Sequence, residues 1–333
     1  MEIRFIARFA AAILPPKMPL TRPSFFAVAA CLFAMVFAAR GADAPPSGDA
    51  VIRRPFGSSE IVITTTTRLA GAIHSVTWNG REFIDSADHG RQLQSASAFD
   101  LEIDGNSETF NPTEAGSRDD GAGPHSTSRL LELSAHDGEL RTLTQMAFWL
   151  QPGERSGGKL ARNTSPLSNH RLAKQVRISV PGLPNVIDYT VTFVLPTDES
   201  HRSAQFEALT GYMPAEFERF WRLNPATLKL EPLAGGPPAE PGPAEQGDPV
   251  VFSTADGGHA MGIFAPDPVP AGTSGPTYGR FRFIPEKVTK WNCVFRIKRP
   301  EGIPAGEYRF HMLVPIGTLG DVEAALAKLA RKP

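Results

Sequence analysis

His89, Arg91, Gln92, Gln94, Asn111, Glu114, Asp119, Asp120 and His125 all fall within residues 78–125 of a 333-residue chain. Two kinds of chemistry suit such a set. His89 or His125 as a base, with Arg91 and Gln92 steadying developing negative charge, would support lyase or epimerase proton transfer. Glu114 with Asp119 or Asp120 would instead flank a glycosidic bond in a hydrolase. Carboxylates this close in sequence lie too near one another for two-sided attack, which favours the histidine route. A third use needs no catalysis, because the same groups can simply hydrogen-bond a glycan.

The local patterns explain why these residues stand out. In the Asp88–Gln94 stretch DHGRQLQ, Gly90 lets backbone approach a ligand while histidine, arginine and two glutamines offer directional hydrogen bonds. In the Asn111–Gly116 stretch NPTEAG, an Asn-Pro start and a Gly end suggest a tight turn projecting Glu114. Asp119-Asp120 before Gly121 also reads as turn chemistry. Amides, guanidinium, carboxylates and aromatic faces together suit a saccharide, with Tyr212, Trp149, Trp221 and Trp291 as candidate stacking platforms. Trp149 and Trp291 also suit a core. Residues 207–216, EALTGYMPAE, could form an opposite wall.

Several function classes (serine hydrolases, zincins, redox enzymes and nucleotide binders) lose support from what is missing. The chain has no G-x-S-x-G, H-E-x-x-H, C-x-x-C, P-loop or Gly-rich dinucleotide fingerprint. No cofactor is expected, and no metal-ligand set is singled out. A net charge of −1 leaves no basic stripe for nucleic acid. Cys293 in KWNCVFRI reads as a small buried hydrophobe rather than a nucleophile. Asn163-Thr164-Ser165 is a formal glycosylation sequon.

The elements that must hold these groups are strands. Runs such as 60–68, 71–78, 99–103, 140–150, 173–180, 186–195, 204–213 and 290–298 are rich in β-branched and aromatic residues. Many alternate apolar with polar, as antiparallel strands with two different faces do. Asn79-Gly80 between two such runs is a strong hairpin signal. With no helices between strands, two packed antiparallel sheets follow. One helix is expected at the end of the chain. Thr318 caps it, Asp321 lies three residues on, and Val322, Ala325, Leu326 and Leu329 share a face.

Residues 1–44 differ from the rest. A charge-free apolar run at 25–39 follows Lys17 and Arg22 and precedes small residues, the layout of a secretory signal peptide. Met18 is an alternative start. Export to the periplasm or outside the cell is expected, with no membrane contact after cleavage. Residues 45–333 then form a single β-sandwich domain, in which the Pro/Gly-rich loop at 233–248 is an excursion.

The segment GAIHSVTWNGREF at 71–83 resembles the opening of galactose mutarotase-like proteins, and the following His89-Gly90-Arg91 is similar to the polar loop after it. The resemblance implies a large β-supersandwich that binds carbohydrate on a concave sheet face. It covers about the first third of the mature chain. The family's histidine pair and late glutamate have no position-by-position match here.

Overall fold

The computed structural model describes residues 46–239, 245–269 and 272–331. The expected signal peptide lies outside the described residues, as does part of the 233–248 loop. Alternating side chains build two antiparallel sheets, each one-sidedly apolar. The first sheet runs, in spatial order, Ala50–Phe56, Ser59–Thr65, Ile73–Trp78, Leu93–Phe99, Ser203–Pro214, Val288–Lys298, Thr273–Phe283 and Glu245–Gln246. The second runs Arg129–His136, Glu139–Phe148, Leu167–Val180, Leu183–Leu195, Gly306–Gly317, Ala260–Gly262, Val250–Ser253, Arg219–Leu223 and Leu230–Leu233. Pro112–Thr113 pairs with Ala96 on one side and with Phe148 and Ala147 on the other, joining the two sheets.

The core lies between them. Phe206, Trp291, Cys293 and Phe295 from the first sheet meet Tyr189, Val191, Phe193, Phe310 and Met312 from the second. This is the large antiparallel sandwich expected from sequence. The hairpin signal also holds: Asn79 (φ 50°) and Gly80 (φ 73°) link Ile73–Trp78 to Arg81–Glu82, both in the left-handed region that such a turn demands. At the chain end, Leu319–Ala330 is helical. Thr318 and Asp321 form a reciprocal cap, and Val322, Ala325, Leu326 and Leu329 are buried against the second sheet.

One strand lies earlier in the chain than its composition suggests. The run at 99–103 turns away after Phe99, and the strand is instead Leu93–Phe99, LQSASAF. Its serines and alanines have weak strand preference. Pairing on both flanks, with Ile73–Trp78 and Ser203–Pro214, overrides that preference.

Candidate functional site

The strand Ser203–Pro214 decides where polar groups gather. Ala204 and Phe206 face the core while Gln205 and Glu207 face outward. A bulge between Glu207 and Leu209 then inserts Ala208 as an extra residue against its neighbour. Strict alternation would send Thr210 and Tyr212 inward; the bulge returns them to the face that carries Glu207. The neighbouring strand Val288–Lys298 contributes Lys290 from its outer face, while Trp291 and Cys293 point to the core. Gln94 enters from Leu93–Phe99, and Asn111 and Trp149 from the segments above.

These groups line a cleft of about 190 Å³ on the outer face of the first sheet. Pockets for drug-sized ligands run to about 300–1,000 Å³, so this smaller space suits one small polar ring. At its floor, Lys290 Nζ stands 3.2 Å from Glu207 Oε2, with 14% and 24% of the side chains exposed. The Thr210 hydroxyl donates to the same oxygen at 2.8 Å. Lys290 also lies 5.2 Å from the Tyr212 ring centre and 5.4 Å from that of Phe281, within cation–π range. Burial opposes charge on both partners, but each charge favours the other more. Glu207 is held below the usual carboxylate range and Lys290 above the usual ammonium range. Both are ionised near neutral pH.

Gln94 donates its Nε2 to Gly90 O at 3.0 Å, which fixes its orientation and leaves Oε1 buried without a donor. Asn292 Oδ1, beside Glu207, is likewise unpaired. Unfilled buried acceptors are costly, and any hydrogen-bond donor, a water or a hydroxyl, fills them.

The sequence-derived candidates divide accordingly. Gln94, Asn111, Trp149 and Tyr212 come together in this cleft. His89 does not, correcting its expected role as base. It is buried with Nδ1 2.7 Å from Gly121 O and Nε2 2.9 Å from Arg68 O, so it ties two loops together. Glu114 is sealed between the sheets, ion-paired with Lys174 and accepting from Ser95 N at 3.1 Å. No substrate reaches it. His125 and Asp119 are exposed away from the cleft lining. Asp120 accepts from Ser117 N and Thr127 N, capping a turn. Arg91 pairs with Asp88 and bonds Glu286 O, while Gln92 is fully buried against Asp88 O.

Trp291 is a core residue against Gly211, where an added Cβ would lie 2.4 Å from its ring. Trp221 bonds Ser253 in the second sheet. Gly90 does permit a close approach, but to the Trp149 ring, 2.7 Å from where a Cβ would stand. The sequon fails sterically: Asn163 is buried, its Nδ2 donating to Leu150 O and Ser165 O. Sequence reasoning reached Glu207 only as part of a possible wall, and missed Gln205 and Lys290. The alternation of KWNCVFRI held the signal for Lys290, since it places Lys290 opposite in sense to Trp291.

Outside the cleft, His170, Glu199 and His201 offer a metal-type donor set. No described helix is long and apolar enough to cross a membrane.

No family model matches the chain, and no curated protein matches it. Solved structures with a similar arrangement exist. The Slr1438 protein from Synechocystis sp. PCC 6803 has TM-score 0.40 and 9% identity over 85% of this chain and 100% of that one. The alpha-galactosidase from Lactobacillus brevis gives 0.39 and 9%, over 83% of this chain but 40% of that one. A Klebsiella pneumoniae protein assigned as an aldose 1-epimerase gives 0.34 and 13%, over 82% and 83%. Each of these TM-scores is below 0.5, and nothing about activity follows from them.

Proposed function

We propose that this chain is an exported carbohydrate-active protein that grips one ring of a saccharide in the cleft over Glu207 and Lys290. The carrying observation is the convergence there of an ionised carboxylate, an ammonium and the unpaired Gln94 acceptor beside the Trp149 and Tyr212 rings. Sugar hydroxyls donate to Glu207 and Gln94 and accept from Lys290, and the C–H face of the ring lies against an aromatic ring. The chemistry that fits is proton transfer of epimerase or lyase type. Glu207, ionised at neutral pH, is the base, and Lys290 stabilises the negative charge that develops. His89 and Glu114 take no part in it, since both are fully engaged in the fold.

Export is supported by the charge, apolar-run and small-residue pattern of residues 1–44. N-terminal sequencing of the protein recovered from its producing cell should begin close to residue 40–45; an intact leader on recovered protein sinks that part.

A glycan array followed by calorimetric titration tests the cleft. Wild-type protein should bind a defined saccharide, and Gln94→Leu, Glu207→Gln and Lys290→Met should each weaken binding about tenfold or more, roughly one lost charged or buried hydrogen bond. Turnover of the bound glycan should vanish in Glu207→Gln even at saturation. Binding untouched by all three substitutions would overturn the proposal, as would a wild type that binds no glycan.

A further inference from the structure

We infer that His170, Glu199 and His201 form a binding site for a divalent transition cation of the zinc class, lying apart from the saccharide cleft. His170 sits near the start of Leu167–Val180, and Glu199 and His201 lie on the connection between Leu183–Leu195 and Ser203–Pro214. Their ligand atoms all fall within 4.8 Å of one another. Glu199 Oε2 is 2.7 Å from His170 Nε2 and 3.0 Å from His201 Nε2. Two imidazoles and one carboxylate are the ligand set of three-coordinate protein sites that leave a position open for water or substrate.

Three further features distinguish this cluster from a casual one. His201 turns its other nitrogen, Nδ1, to Asp100 Oδ2 at 2.8 Å, the carboxylate–histidine pairing that orients metal ligands. Asp100 is itself fixed by Arg202 N and Ser203 N. The imidazoles are held by aromatic rings: Phe99 lies 4.4 Å from His201 and 4.9 Å from His170 between centres, and Phe110 lies 5.0 Å from His201. The local charges are Glu199, Asp100 and Asp198, which lines the same cavity, against Arg162, whose Nη1 is 3.7 Å from Asp100. The carboxylates therefore outnumber the one guanidinium and favour a cation.

Access comes from a cavity of about 400 Å³ lined by Glu199, His201, Arg162 and Asn163. The Asn163 Oδ1 there finds no donor in the protein. The Ser107–Phe110 turn divides this cavity from the saccharide cleft, with Ser107 and Glu108 on the cleft and Phe110 on the cavity.

The test uses the full chain with a histidine-free tag, stripped by chelator and titrated with Zn²⁺ or Co²⁺ alone. One equivalent should bind near neutral pH, with a visible Co²⁺ absorption band. His170→Gln and His201→Gln should each weaken uptake about tenfold or more. Asp100→Asn, a positioning residue, should weaken it about 10–100-fold and shift the Co²⁺ band. The exposed His136→Gln should change nothing. No stoichiometric uptake by the wild type overturns the site, as does uptake unchanged in the His170→Gln/His201→Gln double variant. Should that variant fail to fold, zinc-edge X-ray absorption of the wild type decides, and fewer than two coordinated imidazoles overturns it.

Discussion

Glu114 and Lys174 pair between the sheets with neither side chain reaching solvent, whereas Glu207 and Lys290 pair on the outer face of the first sheet, partly open. The residue types are the same and the surroundings are opposite. Glu114 is completed by Ser95 N, and Lys174 also donates to Gly71 O at 3.3 Å. Every strong bond of that pair goes to the fold. Around Glu207 and Lys290, Gln94 Oε1 and Asn292 Oδ1 remain without donors, and aromatic faces stand nearby. A charged pair is thus a candidate site only where it is partly open and polar groups beside it stay unpaired. The charge alone does not decide it.

Breaking the sealed pair should have the largest effect. Glu114→Ala leaves the Lys174 ammonium buried and unpaired, at a cost of about 3–5 kcal/mol in denaturant unfolding. Replacing both partners by apolar residues of similar size should recover much of that loss. A single substitution that leaves the unfolding midpoint unchanged would show that the pair is not sealed.

Gly211→Ala comes next. Its Cβ would collide with Trp291 beneath the cleft strand, so a loss of about 1–3 kcal/mol is expected. Glycan affinity should fall with it if the cleft floor depends on that packing, and calorimetric titration reads this directly.

Glu207→Gln should move stability less, by about 1 kcal/mol or under, because its pair is partly solvated. Thermal unfolding beside the Glu114 variant ranks the two pairs. A larger loss at Glu207 than at Glu114 would reverse the comparison.

The smallest effect is a pH dependence. Since the folded-state pKa of Glu207 is depressed, its stabilising contribution is present above the ordinary carboxylate value, about 4.3, and is lost as pH falls through the folded value. The stability gap between wild type and Glu207→Gln should therefore be constant from pH 8 down to about 5 and close only in stronger acid. A gap that instead widened on acidification would contradict the ionised assignment.

Much of the architecture could be read in advance, and most of the site could not. The Thr318–Asp321 cap and the apolar spacing after it identify a helix that forms as expected. Four of the proposed binding residues, Gln94, Asn111, Trp149 and Tyr212, do meet in one cleft. Glu114 attracted attention because Asn-Pro and Gly bracket it in a turn. That turn instead delivers it into the seam between the sheets, where Lys174 waits from a strand 60 positions away. His89 followed the same logic, and its ring closes two loops together.

Periodicity and turn chemistry act over a few residues, so the sequence by itself determined the strand-rich class, the Asn79-Gly80 hairpin and the capped terminal helix. Which polar side chains share a face was decided only when Leu93–Phe99, Ser203–Pro214 and Val288–Lys298 came side by side from distant parts of the chain. The extra residue at Ala208 then set the outcome, because in a strand a shift of one position exchanges the two faces. That shift is fixed by the partner strands, and no short window of sequence contains them.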